Sequence, residues 1–437
     1  MEILPVIVLY VEVLLMALIE RKLWRTPYTP LNCLMVPYAV VLAFCMGIDG
    51  KMGFVPFYYP SVWVWVVGIA LFFIPSFFFG ILFSAATRGK DLPQVEVPEA
   101  TRQVLGKVTQ IILVLFFFWT VFLILTYSAP IGSDAFGSKF SGNGLFGHLS
   151  TVMMILGIIW MFLIDKHHKK YALYILGFLV VAFLCMVKGW MIIPIVSALI
   201  LRLLMKRMHL KLKMVLGVAV FGFVFFFASY WVSMFLVRAD WATKQYNVTR
   251  SEYASMTARY IQRHFVTYLV AGVYGFSEDM AKGIMEERDP DKIYTSFINI
   301  ANVLTGKPVV DQINDRFVKT TSLDAGTNVR TFMGSLYVFI GPWHAAIFVF
   351  LFSCLVSMLF FVARQRANLF ALVWLAWICG FLFMGWFEFY LKLLSFITVP
   401  IFLAMLAEIC FWAENRSRQP RLLPPGYRPS SLKSGAR

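Results

Sequence analysis

The chain has 437 residues, of which 60% are hydrophobic and only 14% are charged, and it carries 44 Phe and 13 Trp. No soluble fold buries that much apolar surface, so the composition excludes a soluble protein and indicates a polytopic membrane protein. The net charge of +16 then favours anionic membrane lipids and phosphate groups as partners, and not nucleic acid, because basic residues collect in the cytoplasmic loops of membrane proteins.

Apolar runs long enough to cross a bilayer predict an all-α fold with about 11 transmembrane helices. They lie at about 3–19, 31–48, 61–83, 108–127, 148–164, 171–187, 189–204, 214–236, 343–362, 369–387 and 393–412. The first run opens with Glu2 and has no basic segment or small-residue cleavage site, so it predicts a span and not a signal peptide. The six cysteines all fall in apolar runs without a CxxC pair, which is typical of small core residues.

The Lys and Arg residues predict the orientation of these spans. The loops after odd-numbered spans and the C-terminal tail hold 23 of the 39 basic residues, whereas the short loops on the other face hold one each. Short basic loops stay in the cytoplasm, and long loops translocate regardless of charge. The N-terminus is therefore expected outside, the C-terminus inside, and the long segment 237–330, with its 12 basic residues, outside.

This orientation divides the chain into four regions. Residues 1–236 hold transmembrane helices 1–8, and residues 237–342 form one large extracytoplasmic loop domain that ends in a segment at the membrane lip. Residues 343–412 hold helices 9–11. The Pro-, Ser- and Arg-rich residues 413–437 predict a disordered basic cytoplasmic tail.

The external segment contains the candidate site residues. Residues 251–268 predict a helix with an apolar stripe of Tyr253, Met256, Tyr260 and Phe265, and residues 271–284 have the glycines and short apolar patches of a re-entrant or interfacial piece. Arg259 and Arg263 are four residues apart and share a helix face, where two like charges repel unless an anion lies between them.

A group of basic residues lies at or near the predicted outer membrane boundary: Lys188, Arg250, Arg259, Arg263 and Arg330. A guanidinium stays charged and binds phosphate oxygens through two parallel hydrogen bonds, so this pattern favours a diphosphate-binding site. Each member also has a plainer interpretation, because arginines at span ends commonly snorkel and helix faces are commonly solvated. Lys188 is alternatively a simple loop anchor.

Several residues are candidates for a general base. His264 is the only histidine in the external segment, and it is alternatively a hydrogen-bonded structural histidine. The alternative bases are Glu252, Glu278, Asp279 and Asp324. The chain has no HExxH, GxSxG or P-loop motif, so we expect neither a metal site nor a cofactor.

The segment before the ninth span predicts a lip at the membrane surface. Residues 331–342 are mostly apolar, contain Tyr337 and end in Gly341-Pro342, a pair that favours a kink. Such a lip would admit a lipid tail sideways.

The stretch GTNVRTFMGSLYVFIGPW, residues 326–343, resembles the signature of Wzy-type oligosaccharide repeat-unit polymerases, the O-antigen and capsule polymerases. In that signature an N-V-x-T element precedes a Tyr and an F-G turn. The corresponding positions here are Asn328, Val329, Thr331, Tyr337, Phe339 and Gly341, with Ile340 interposed. RYIQRHFVTYLVAGVYGFSE is similar to the family's external helix with a Y-L-x-x-G element at Tyr268, Leu269 and Gly272. The hairpin at Lys188-Gly189 is similar to a family hairpin that more often has Arg than Lys.

The resemblance implies a membrane-embedded, metal-independent glycosyltransferase. It would move a growing glycan from undecaprenyl diphosphate onto the non-reducing end of a lipid-linked repeat unit, at the outer face of the bacterial inner membrane. Arg263, Arg330 and Lys188 would hold the donor diphosphate, Arg259 or Arg250 would assist, and His264 or an external carboxylate would accept the proton. A chain-length regulator of the same pathway is a further implied partner. An O-antigen ligase, which transfers the glycan to lipid A core, and a polysaccharide exporter or flippase are the alternatives.

Overall fold

The structure, a computed structural model, describes residues 3–51, 53–129, 131, 133–141, 144–185, 189–209, 211–231, 243, 245, 247–283, 288–310, 317–321 and 326–418. Within these ranges the chain forms α1 (Leu4–Trp24), α2 (Pro30–Ile48), α3 (Val62–Ala86), α4 (Glu99–Thr126), α5 (Asp134–Ser141), α6 (Leu145–Leu163), α7 (Tyr171–Leu184), α8 (Gly189–Leu204) and α9 (Leu212–Trp231). It continues with α10 (Arg250–Ala281), α11 (Asp291–Leu304), β1 (Val318–Lys319), β2 (Gly326–Thr327), α12 (Phe332–Arg366), α13 (Leu369–Phe383) and α14 (Ser395–Arg418).

The helices have the length and composition of membrane spans. Seven helical segments in the described ranges are long and apolar enough to cross a bilayer: α2, α4, α6, α12, α14, α3 with the 3₁₀ turn before it, and α13 with the 3₁₀ turn after it. Two shorter apolar helices, Tyr171–Leu184 and Met191–Leu204, accompany them. The only sheet in the described residues pairs β1 with β2. The chain is therefore an all-helical polytopic membrane protein, as the apolar runs predict.

Polar N-caps begin several of these helices. The side-chain oxygens of Thr29, Thr249, Thr331 and Asn368 accept hydrogen bonds from backbone N–H groups in the first turns of α2, α10, α12 and α13. Each cap satisfies donors that a helix start leaves unpaired, and such groups are especially costly near hydrocarbon.

The core of the bundle is formed by α3 with α1 and α12, and by α8 with α13. Small residues let the helices approach closely: a Cβ on Gly380 would lie 2.2 Å from the Ser197 hydroxyl, and one on Gly68 would lie 2.6 Å from the Met333 sulfur. This packing is typical of membrane helices, whose association depends on van der Waals contact and not on exclusion of water.

The basic segments lie together at one end of the bundle. Hydrogen bonds join them pairwise: Arg25 to Thr87, Arg102 to His168, Arg207 to Val95, Arg364 to Leu204, and Thr101 to Glu414. These contacts connect all six Lys- and Arg-rich segments that the sequence assigns to one face. We call this the basic end.

The opposite end holds the candidate site and is called the cleft end. There Phe54 forms a β-bridge with Thr321, the Tyr58 N–H donates to the Ser277 hydroxyl at 2.7 Å, and Gly189 packs beside Tyr390. Segments from the whole length of the chain therefore meet at this end.

Helix α10 differs from the sequence prediction in its length. The sequence predicts a helix over 251–268 and a re-entrant or interfacial piece over 271–284, whereas α10 continues without a break to Ala281. Its glycines serve close packing and not a turn, since a Cβ on Gly272 would lie 2.2 Å from the Phe387 carbonyl oxygen. Of the predicted apolar stripe, Tyr253 is buried and Phe265 is half-buried, whereas Met256 and Tyr260 are exposed.

The Gly272 contact generates a stability prediction. Gly272→Ala should destabilise the protein by about 1–3 kcal/mol, because the new methyl group would overlap the backbone carbonyls of Phe387 and Trp386. Thermal unfolding in detergent measures this loss. The control is Gly47→Ala, since nothing lies within 4 Å of a Cβ at Gly47. Equal unfolding temperatures for the two variants would contradict the packing.

Candidate functional site

A buried ion pair lies at the base of the cleft end. The Arg330 Nε donates to Asp279 Oδ2 at 2.6 Å, and its Nη2 donates to Oδ1 at 3.2 Å. The Arg330 side chain is 1% exposed and that of Asp279 is 0% exposed. The two-pronged geometry is the strongest form of this pairing, and burial of either charge alone would be costly. The pair fixes the C-terminal part of α10 against the start of α12.

Local hydrogen bonds determine where Arg330 lies. The next residue, Thr331, is the N-cap of α12 and accepts from the Gly334 N–H at 3.0 Å and from the Trp65 indole N–H at 3.1 Å. The Ser335 hydroxyl donates to the Arg330 carbonyl at 3.2 Å. The backbone on the other side is close to α10, because a Cβ on Gly275 would lie 2.6 Å from the Val329 carbonyl oxygen.

A small polar cleft opens above this pair. It is lined by Lys292, Ile293, Asn328, Arg330, Ser335, Phe339, Glu388, Phe389 and Lys392. Lys392 and Glu388 form an ion pair, and their side chains are 12% and 19% exposed. The Ser296 hydroxyl of α11 donates to the Lys392 carbonyl. Three basic side chains, those of Lys292, Lys392 and Arg330, line the cleft together with the Glu388 carboxylate. Asp279 is the ion-pair partner of Arg330. The space within the cleft is about that of one water molecule, so a larger ligand requires the side chains to move.

The lip has the predicted kink. Gly341 has φ 78° and ψ 167° inside α12, a backbone conformation outside the helical region that favours glycine. A Cβ there would lie 2.9 Å from the Arg288 guanidinium carbon. Tyr337 is half-buried with its ring near Phe276, and Pro342 is exposed. The kink prediction at Gly341-Pro342 is therefore confirmed.

The structure separates the predicted diphosphate ligands. Arg263 precedes Asp279 on the same helix by 16 residues, which is about 24 Å along the axis. Arg259 and Arg250 are about 30 Å and about 44 Å away by the same measure, and all three side chains are exposed. A single diphosphate therefore cannot contact both Arg330 and Arg263. Sequence proximity to the membrane boundary could not reveal this separation.

The other predicted residues have specific surroundings. His264 Nε2 is 2.7 Å from the Tyr230 hydroxyl, and its ring stacks on Tyr260, about 22 Å along α10 from Asp279. Glu278 is buried and pairs with Lys282 at 3.0 Å, and Asp279 is bound to Arg330. Lys188 and Asp324 lie outside the described residues.

Glu252 has a structural role at the start of α10. It forms a capping box, in which its carboxylate accepts hydrogen bonds from the Thr249 backbone N–H and hydroxyl, both at 2.8 Å. These bonds lower the pKa of Glu252, the backbone bond contributing most. A carboxylate with a lowered pKa is a weaker base, so the alternative role of Glu252 as a proton acceptor is not favoured.

Sequence reasoning missed three charged residues of the cleft: Lys292, Glu388 and Lys392. A signal was present for two of them, because Glu388 and Lys392 are a charged pair four residues apart in a five-residue loop between long apolar runs. Lys292 had none. In the part of the chain that the structure describes, no group of three or more His, Cys, Asp or Glu side chains could hold a metal ion.

The fold and site together define a helical membrane protein with a charged cleft at one end of its bundle. The chain belongs to DUF6337, a family of unknown function whose family profile matches residues 53–413. No curated protein and no solved structure matches the chain. The matched range includes every residue that lines the cleft.

The buried pair yields a second prediction. Asp279→Asn should destabilise the protein by about 3–5 kcal/mol, because it leaves the Arg330 charge buried without a counter-charge. The double variant Asp279→Leu/Arg330→Met should recover most of that loss, since both charges are removed together. Denaturant unfolding in detergent micelles measures both effects.

The control for this prediction is Lys307→Ala, a change of an exposed lysine after α11, which should alter stability by less than about 0.5 kcal/mol. The prediction would be contradicted if Asp279→Asn were as stable as the wild type. It would also be contradicted if the double variant were no more stable than Asp279→Asn.

Proposed function

We propose that the protein is a repeat-unit polymerase that transfers a growing glycan from undecaprenyl diphosphate onto the non-reducing end of a lipid-linked oligosaccharide. The observation that carries this proposal is the cleft itself. Lys292, Lys392 and Arg330 line it together with one carboxylate, Glu388, beside the N-terminus of a long apolar helix. The positions that resemble the polymerase signature support it, because Asn328 and Phe339 line this cleft, Thr331 caps α12, and Gly341 forms the kink.

The proposed topology places the cleft outside the cell. Eleven spans, comprising α1–α4, α6–α9 and α12–α14, would alternate in direction, with the N-terminus outside and the C-terminus inside. The clustering of the six basic segments at one end supports this, because such segments remain cytoplasmic. The resemblance to the polymerases implies that the membrane is the bacterial cytoplasmic membrane. Residues 237–342 lie on the outer side and provide α10, α11 and the lip.

In the proposed reaction, a hydroxyl oxygen of the acceptor sugar attacks the anomeric carbon of the donor glycan. The bond between that carbon and the phosphate oxygen breaks, and undecaprenyl diphosphate leaves with the bonding electron pair. The hydroxyl proton passes to the Glu388 carboxylate, which is the carboxylate that lines the cleft. Lys292 and Lys392 offset the charge that develops on the leaving phosphate. Arg330, whose charge Asp279 balances, holds the cleft wall in place beside them.

The acceptor also carries a lipid diphosphate, which Arg259 and Arg263 could bind. When the non-reducing end of a repeat unit lies in the cleft, its own diphosphate lies one repeat unit away. Arg259 and Arg263 are about 24–30 Å along α10 from the cleft, a separation that a unit of several sugars spans. We propose that they bind the acceptor diphosphate, and that His264, hydrogen-bonded to Tyr230, supports this part of the helix. The resemblance to the polymerases alone keeps Lys188, which lies outside the described residues, as a proposed ligand of the donor diphosphate.

The deciding experiment compares surface polysaccharide in a strain that lacks the gene, complemented with variants. Glu388→Gln and Lys292→Met should leave lipid capped by a single repeat unit, with the polymer ladder reduced at least about 100-fold. The control is Lys307→Met, an exposed lysine on the segment that follows α11, which should restore the ladder. Immunoblots of membranes confirm equal amounts of each variant.

Other results would identify a different activity. Loss of the single-repeat cap, with accumulation of lipid-linked polymer, would indicate a ligase. Retention of unpolymerised units inside the cell would indicate an exporter or flippase. A full ladder from Glu388→Gln would remove that residue from the chemistry.

A further inference from the structure

Helix α11 has its apolar face on the outside of the molecule. Tyr294, Phe297, Ala301 and Leu304 recur at helical spacing on one exposed face, where Phe297 is 56% exposed and Leu304 is 81% exposed. In a water-soluble region this face would point inward. Ile293 is buried on the inner face, so α11 has apolar side chains on its outer face in addition to those that it packs inward.

The polar residues of α11 are used within the protein. Ser296 is buried and donates to the Lys392 carbonyl, and Lys292 lines the cleft. The Asn299 amide bonds to both the N–H and the carbonyl of Val310, at 2.7 Å and 2.9 Å. Asn302 donates to the Pro308 carbonyl at 3.0 Å and so folds the following segment back onto the helix. Thus the inner face of α11 has specific polar partners, and the outer face is apolar.

The outer face lies next to a helix with the length and composition of a membrane span. Helix α11 packs against α12, and beyond the kink α12 exposes Trp343 and Ile347 on an apolar, membrane-length helix. Basic residues lie on both sides of the stripe, with Arg288 before α11 and Lys307 after it. An apolar stripe bordered by basic residues is the pattern of a helix that lies in the headgroup region of a membrane.

We infer that α11 lies in the leaflet at the cleft end, with its outer stripe among lipid acyl chains. The occupant of the stripe is membrane lipid, because α11 packs against α12, whose exposed Trp343 and Ile347 belong to a membrane-length apolar helix. This insertion stands without the proposed reaction. It also has a consequence that rests on that reaction, since it holds Lys292 at headgroup depth, where the phosphate of a long-chain lipid can reach the cleft from the side between α11 and the kink.

The test measures how deep α11 lies in reconstituted membranes. Single cysteines replace Phe297 or Leu304 on the stripe, or Lys307 as the control, in a Cys354→Ser background, because the other five native cysteines are buried. Each variant is labelled with the fluorophore NBD in vesicles of phosphatidylcholine and phosphatidylglycerol. Quenching by acyl-chain nitroxide lipids is compared with quenching by iodide.

We expect the labels at residues 297 and 304 to be quenched at least about two-fold more by the nitroxide lipids than the label at residue 307, and to be protected from iodide. Strong iodide quenching at residues 297 and 304 would place α11 in water and overturn the inference. Protection from both quenchers would indicate that a second copy or another protein covers the stripe, which also overturns it. The fluorescence of each variant reports only the depth of its label in the membrane. A loss of polymerase activity therefore does not change the result of this test.

Discussion

The ion pair between Arg330 and Asp279 is the contact on which the cleft end depends. It joins the last turns of α10 to the residue before the N-cap of α12, and both side chains are almost fully buried. A buried charge is tolerated only with a partner of opposite sign and good geometry. The pair therefore determines the position of the 328–331 segment, which supplies Asn328 and Arg330 to the cleft wall. The arginine at the mouth of the ninth predicted span is thus a fixed part of the wall and not a mobile anchor.

Much of the fold could be predicted from local sequence. Long apolar runs become helices, because a membrane leaves few other ways to satisfy the backbone. The kink at Gly341-Pro342 could also be predicted, since glycine is the residue that best adopts the positive φ found there. The C-terminal end of the external helix could not be predicted, because the glycines at 272 and 275 are typical of a helix break. In the structure they face the backbones of Phe387 and Val329, and a single sequence carries no sign of a partner more than 50 residues away.

Contacts between residues far apart in the sequence were even harder to predict in the candidate site. Arg330 and Asp279 were both among the predicted residues, but as a phosphate ligand and a base; nothing in the sequence paired them with each other. Lys292 and Glu388 are about 100 positions apart and meet only because α11 packs against the turn that holds Lys392. Arg263, by contrast, was grouped with Arg330 although the rigid rise of α10 keeps them apart. The kinds of side chain in the site could be predicted from chemistry. Which of these residues lie close together could be seen only in the three-dimensional structure.

The contact between Gly272 and Phe387 has a consequence for the carboxylate in the cleft. Phe387 immediately precedes Glu388, and its carbonyl touches the backbone of α10 without any intervening side chain. Two main chains in direct contact have no rotamers with which to absorb a displacement. The turn that carries Glu388 and the helix that carries Asp279 therefore move together, and the backbone sets the distance between the Cα atoms of these two residues.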